Sequence, residues 1–208
     1  MKRTYNKKLS TLQIMEEFKD NKKFQDTITT AKMLFWKHGI KRVSIEEICK
    51  EASVSKMTFY KFFKNKEALA EYLLVNVLTE WHVQYRAIMK QKIPFTSKIN
   101  QVIALEQTAG ENMEEEFFND IFNNDYPDLQ KLINESTESY HAEIVEDMIE
   151  AQQRGEIRKN IKPEFLLYQL KDISEKVMDE NLSKLYPTRQ DLIMELTNYF
   201  FYGILETS

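Results

Sequence analysis

The chain has 208 residues with a net charge of -4, and 42% hydrophobic and 30% charged residues stand against only four Gly and four Pro. This length gives one large or two small domains, and the scarcity of turn residues favours long helices, so we predict an all-α protein. Its apolar stretches are far shorter than the roughly 20 residues that cross a bilayer, and the basic start MKRTYNKKLS lacks the apolar core of a secretory signal. We therefore expect a cytoplasmic protein without membrane contact. A single cysteine, Cys49, excludes an internal disulfide and a cysteine-based zinc site.

The charge is divided unevenly along the sequence. Residues 1–66 contain 16 basic and 7 acidic residues, a net of +9, which leaves 13 basic and 26 acidic residues, a net of -13, in residues 67–208. DNA phosphates attract the first segment and repel the second. A basic segment is also compatible with an ordinary solvated surface, so the interpretation depends on motifs.

Three short helices are predicted in the basic segment. The first is capped by Asp20 or Asn21, carries the apolar series Phe24, Ile28, Ala31 and Phe35, and ends at Gly39. The second begins with a predicted capping box formed by Ser44 and Glu47, and its apolar face is Ile45, Ile48, Cys49 and Ala52. The third is capped by Ser55 and covers residues 56–63. A turn of about three or four residues between two short helices is typical of a helix-turn-helix unit.

The third helix has chemically different faces. Phe59 and Phe63 point inward, which leaves Lys56, Met57, Tyr60 and Lys61 largely outward. In a DNA major groove, lysine can meet guanine acceptors and Met57 a thymine methyl. Thr58 and Tyr60 can bind phosphate oxygens, and the helix that Asn65 caps offers Lys66 at its positive end. Each of these residues alone also fits a solvated helix, but their order favours DNA binding.

These residues resemble the DNA-binding domain of the tetracycline-repressor (TetR) family. The resemblance covers Ala31-x-x-x-Phe35-x-x-x-Gly39, Ser44-x-x-x-Ile48 and the run from Val54 to Leu69, about a quarter of the chain. It implies phosphate contacts for Tyr60 and Lys66, a phosphate contact at the Ser44 cap, and base or backbone contacts for Lys56, Met57 and Lys61. The predicted DNA-binding set is Ser44, Ser55, Lys56, Met57, Thr58, Tyr60, Lys61 and Lys66.

The sequence departs from the family pattern at three positions. Ser53 replaces the usual turn glycine, so a non-glycine residue is expected in a left-handed conformation at a cost of about 1 kcal/mol. Met57 stands where glycine is frequent and Phe62 where histidine is common, so the operator of a relative cannot be transferred. The extension 1–20 carries Lys2, Arg3, Lys7 and Lys8, which suit a minor-groove arm or equally a basic tail with no defined role.

The acidic segment is predicted to be helical throughout. A long connecting helix runs from 67 to about 92, followed by helices at 95–108, 112–123, 128–153 and 163–182 and a last helix after Thr188. The last two are apolar on more than one side, which indicates a second cover from a partner copy. The resemblance implies a homodimer through these two helices, and a twofold dimer predicts a palindromic operator. We expect residues 1–66 to form the three-helix DNA-binding domain and residues 67–208 an effector-binding and dimerisation domain.

The resemblance also implies an effector pocket between the connecting helix and the dimer surface. Flexible and aromatic side chains that suit a hydrophobic or aromatic molecule are Trp81, Tyr85, Met89, Phe118, Phe122, Tyr140, Met148 and Tyr168. Plain core packing is the alternative for each of them. His82 and His141 suit a polar ligand group or a metal, but isolated helical histidines are more often structural.

These patterns lead to a repressor, released from its operator by a small-molecule effector, as the first functional hypothesis. The alternative is a DNA-binding protein of the same kind that a protein partner controls. An enzyme is disfavoured because the sequence has no glycine-rich phosphate loop, no metal-spaced His/Cys cluster and no nucleophile motif, and no cofactor is expected.

Overall fold

The computed structural model describes residues 17–110, 112–122 and 125–205. Ten helices lie in this part of the chain: α1 Lys22–His38, α2 Ile45–Glu51, α3 Lys56–Phe62, α4 Lys66–Met89, α5 Phe95–Ala109, α6 Glu115–Phe122, α7 Pro127–Gln153, α8 Pro163–Val177, α9 Glu180–Ser183 and α10 Arg189–Ile204. The described residues form no strand, and the only β-type pairing among them is the isolated bridge between Ile157 and Leu205. The all-α prediction is confirmed. The predicted minor-groove arm, with Lys2, Arg3, Lys7 and Lys8, lies outside the described residues.

The chain divides into two compact units that do not follow the predicted boundary at residue 66. The first unit comprises Met1–Thr79 together with Asn112–Ile133, and the second comprises Glu80–Glu111 together with Asn134–Ser208. The first unit extends because α6 packs against α1, where the rings of Trp36 and Phe117 lie 4.5 Å apart. The assignment of functions to residues 1–66 and 67–208 stays a prediction.

Helix α1 begins and ends as its sequence predicts. The side chain of Asn21 accepts a hydrogen bond from the Phe24 N–H, and Gly39 ends the helix with φ 77°. A Cβ at Gly39 would clash with Asp120 Oδ2, the same oxygen that accepts from the Lys41 N–H at 2.8 Å. Glycine is therefore required here both by the backbone conformation and by the approach of α6.

The first unit is built around aromatic rings. Phe24 is fully buried, and its ring lies 5.2 Å from that of Phe62, 5.6 Å from that of Phe63 and 5.4 Å from that of Tyr72. These contacts join α1, the end of α3 and the start of α4. Aromatic pairs of this geometry add to the stabilisation from burial, so the position of α3 is set by a rigid core.

In the second unit, α8 and α10 pack against each other and place buried side chains inward. Leu166 and Leu170 of α8 are buried, as are Phe200 and Phe201 of α10. The predicted helix over 163–182 is wrong in one respect, since α8 ends at Val177 and a separate short helix, α9, follows. Asp179 causes the break because its side chain accepts from the N–H groups of Asn181 and Leu182 and so caps a new turn.

Candidate nucleic-acid interface

The segment from Ser44 to Phe62 has helix-turn-helix geometry. Ser44 Oγ accepts from the Glu47 N–H at 3.1 Å, the first of the two bonds of the predicted capping box, and Ser55 Oγ accepts from the Thr58 N–H at 3.0 Å. Between α2 and α3, Ser53 has φ 55°, which confirms the predicted left-handed conformation. The turn is closed by the Val54 N–H, which donates to the Cys49 carbonyl at 2.9 Å.

Helix α3 is anchored by one face and exposes the other. Phe59 and Phe62 are buried, and the ring of Phe62 also lies 5.1 Å from that of Phe18. On the opposite side, Met57 is 74% and Tyr60 54% exposed. Lys56 and Lys61 are exposed as well. Four of the eight predicted DNA-binding side chains, Lys56, Met57, Tyr60 and Lys61, are therefore exposed on this side of α3. Phe62, by contrast, packs into the core.

Three of the predicted DNA-binding residues, Ser55, Lys56 and Thr58, already have side-chain partners within the protein. The Lys56 ammonium is paired with the Glu46 carboxylate of α2, and this bond raises the pKa of Lys56 and lowers that of Glu46. The hydroxyl groups of Ser55 and Thr58 lie 2.9 Å apart and are hydrogen-bonded to each other. Lys56 must exchange Glu46 for DNA if it is to contact a base or a phosphate.

Lys66 lies at the start of α4, which Asn65 caps by accepting from the Ala68 N–H at 2.8 Å. The Lys66 ammonium donates to the carbonyl oxygens of Val43 at 2.7 Å and Lys41 at 3.1 Å. Partial burial lowers the pKa of Lys66, and the charges of Glu67 and Asp120 oppose this shift. Lys66 thus ties α4 to the loop before α2, and its phosphate contact stays a prediction that concerns the remaining N–H.

The predicted effector-lining residues do not all belong to the same unit. Phe118 and Phe122 are in the first unit, where their rings stack at 6.2 Å. The second unit holds Trp81, Tyr85, Met89, Tyr140, Met148 and Tyr168. Tyr85 and Met148 are almost fully buried, whereas Tyr168 is 67% exposed on α8, and this exposure argues against a pocket-lining role.

A polar cluster lies among these residues of the second unit. Tyr85 donates to Asp147 Oδ2 at 2.8 Å, and burial raises the pKa of Tyr85. Glu143 binds both His82, at 2.6 Å, and Arg86. His82 thus has a side-chain partner within the protein, and its part in ligand binding stays a hypothesis. Sequence patterns gave no signal for these pairs because each joins residues about 60 positions apart.

The second unit contains two further polar groups, Glu106 and His141. The sequence analysis did not identify Glu106, and it left the role of His141 open. Burial raises the pKa of Glu106 to about 7, and the nearby Trp81 indole N–H opposes the shift. His141 is buried with its Nδ1 unpartnered, and burial lowers the pKa of its ring.

Within the described residues, no group of three His, Cys, Asp or Glu side chains is placed to hold a metal ion. In the same part of the chain, no helix is both long and apolar enough to span a membrane.

Comparison with known proteins shows which family the helix-turn-helix domain matches. Residues 28–73 match the family described as bacterial regulatory proteins, tetR family. An uncharacterized HTH-type transcriptional regulator of Bacillus subtilis, YhgD, is 30% identical over 69 residues, which are 33% of this chain and 36% of that protein. The matched region thus spans about a third of the length of this curated relative.

Solved structures share the fold over most of the chain. The transcriptional regulator FadR from Bacillus subtilis, in complex with stearoyl-CoA, has a TM-score of 0.64 and 21% identity and covers 87% of this chain and 99% of its own. A regulator from Saccharomonospora viridis, in complex with choline, has a TM-score of 0.68 and 14% identity, with 88% and 97% covered. Residues 28–73 therefore form a DNA-binding domain of the tetR family. Outside these residues, the likeness to solved transcriptional regulators is one of fold.

Proposed function

We propose that the protein is a homodimeric repressor that binds a palindromic operator and leaves it when a small molecule binds the second unit. The exposed face of α3 carries this proposal. Met57, Tyr60 and Lys61 project from a helix whose other face is locked into an aromatic core. A rigidly held helix with apolar, phenolic and cationic side chains suits base and phosphate contacts in a major groove.

The proposed dimer rests on exposed aromatic side chains of α8 and α10. Phe165 and Tyr168 of α8 are 53% and 67% exposed, and Tyr199 and Tyr202 of α10 are 79% and 56% exposed. Aromatic residues concentrated on two adjacent helices are typical of an interface between subunits. A Cβ at Gly203 would meet no atom within 4 Å, which leaves room for a partner helix.

Small-molecule control is supported by the fold and by the buried polar groups of the second unit. The two structural neighbours named above carry ligands of very different chemistry, stearoyl-CoA and choline, so the fold alone does not define the effector. An effector releases DNA only if it binds the DNA-incompetent state more tightly than the competent one.

Footprinting on the DNA upstream of the protein's own gene tests this proposal. We expect protection of an inverted repeat whose half-sites lie about 34–36 Å apart or somewhat further, with an affinity at least about 10³-fold above that for a scrambled sequence at the same salt concentration. Equal affinity for the two sequences contradicts specific regulation. Protection of a single half-site by a monomer contradicts the dimer.

A further inference from the structure

Glu46 is an exposed carboxylate of the helix-turn-helix unit that the predicted set of DNA-binding residues does not include. It lies in the first turn of α2, and its side chain is 63% exposed. Its carboxylate forms an ion pair with the ammonium of Lys56, the first residue of α3. Lys50 lies four residues further along α2, at a spacing that allows ion pairs within a helix. The ion pair of Glu46 nevertheless spans the turn and reaches the helix that carries the predicted base contacts.

This ion pair contributes little to the stability of the domain. Both side chains are more than half exposed, and exposed ion pairs are screened by water and salt. The position of α3 depends instead on the buried rings of Phe59 and Phe62. The pair can therefore open when DNA approaches, and a variant without the Glu46 charge should still fold.

The pair lies at the end of α3 that a recognition helix presents to base edges. In helix-turn-helix domains, the N-terminal residues of the second helix contact bases in the major groove. Lys56 is the first residue of α3, and the neighbouring Met57 is 74% exposed. Because the charged ends of Lys56 and Glu46 are hydrogen-bonded to each other, a base pair within reach of one lies within reach of the other.

The chemistry of the pair is complementary to a G·C base pair. In the major groove, guanine presents the acceptors O6 and N7, to which lysine donates, and cytosine presents the N4 amino group, from which a glutamate carboxylate accepts. The reversed base pair would place the amino group opposite the ammonium and the acceptors opposite the carboxylate. The phosphate backbone, in contrast, gains little from a lysine that a carboxylate already neutralises.

We propose that Glu46 reads DNA sequence together with Lys56, and that the two side chains exchange each other for the cytosine and the guanine of one G·C base pair in each half-site of the operator. This inference rests on the proposed sequence-specific binding. On a sequence without that base pair, the Glu46 carboxylate finds no donor and repels the nearby phosphates. Glu46 thus disfavours wrong sequences as well as recognising the right one.

Affinities for two DNA duplexes test the inference. Fluorescence anisotropy at one salt concentration compares the sequence that the wild-type full-length protein selects from a random pool with a scrambled sequence. Glu46→Ala should bind the selected sequence about tenfold or more weakly, because cytosine loses its acceptor. It should bind the scrambled sequence about threefold or more tightly, because the phosphates lose a repelling charge and gain the freed Lys56.

Glu51→Ala is the matched control, because Glu51 is an exposed carboxylate of the same helix. Its ratio of the two affinities should equal that of the wild type. Tighter binding of Glu46→Ala to both duplexes would show that Glu46 merely repels DNA, and equal losses on both would show a structural role. Either result overturns the inference, as does a ratio equal to that of Glu51→Ala.

Repeating the selection with the variants locates the base pair. Glu46→Ala and Lys56→Ala should both lose the preference for G·C at the same position of each half-site, whereas Glu51→Ala should keep it. Losses at different positions, or a loss in Lys56→Ala alone, contradict the shared reading of one base pair.

These measurements also separate the inference from the proposed function. If the wild type selects no sequence, the proposed operator binding is wrong, and the reading of a base pair by Glu46 fails with it. If the wild type selects an inverted repeat but Glu46→Ala selects the same bases, the proposed function is supported and this inference alone is wrong.

Discussion

At the scale of single residues, the turn of the helix-turn-helix unit holds avoidable strain. Ser53 is exposed and adopts φ 55°, a region in which a Cβ clashes with the following carbonyl group. Ser53→Gly should relieve this strain, which is worth about 1 kcal/mol. Because glycine loses more entropy on folding than serine, the net rise in the free energy of unfolding should be smaller than this.

Urea denaturation measures this change, and Ser53→Ala is the control. Alanine keeps the Cβ and hence the strain, so its midpoint should stay close to that of the wild type. A glycine variant no more stable than the alanine variant would show that the turn is not strained.

Local rules explain why some residues were predictable and others were not. Asn21, Ser44 and Ser55 cap their helices through bonds to backbone groups three residues away, so a short stretch of sequence contains all the information. The pair of Lys56 and Glu46 and the contact of Asp120 with the turn at Gly39 depend on tertiary packing.

At the scale of helices, the exposed aromatic faces of α8 and α10 make a prediction about assembly. Tyr199 is 79% exposed on α10, and a twofold interface through this helix would place two copies of any charge introduced there close together. Tyr199→Glu should therefore weaken dimerisation by about tenfold or more through like-charge repulsion and desolvation.

Sedimentation equilibrium gives the dimer dissociation constant for this test. Val83→Glu is the control, because Val83 is 61% exposed in the same unit but lies on α4, outside the predicted interface. If both variants dimerise like the wild type, the predicted interface is wrong.

The long helices were predicted well because their apolar periodicity extends over many residues, whereas the break at Asp179 was missed. A single capping side chain at that position competes with continuation of the helix. The apolar periodicity of this segment also fits a continuous helix, so periodicity alone did not locate the break.

At the scale of the whole molecule, segment 1–66 carries a net charge of +9 and segment 67–208 a net charge of -13. We expect this division to steer the basic segment towards DNA phosphates. The boundaries of the compact units differ from this charge division, because residues 112–133 pack with the helix-turn-helix region. Charge follows the linear sequence, whereas packing depends on contacts between distant segments, and this is why composition did not predict the units.

The central claim is that the exposed face of α3 reads DNA sequence, and selection of bound sequences from a random pool tests it most directly. The double variant Met57→Ala/Lys61→Ala removes one apolar and one cationic side chain from that face. Its control, Met33→Ala/Lys37→Ala, removes the same pair of residue types from exposed positions on α1. We predict that the α3 variant selects altered bases within each half-site, at a cost of about 1–3 kcal/mol per lost base contact, while the α1 variant selects the wild-type sequence. An unchanged selected sequence for the α3 variant would contradict the account.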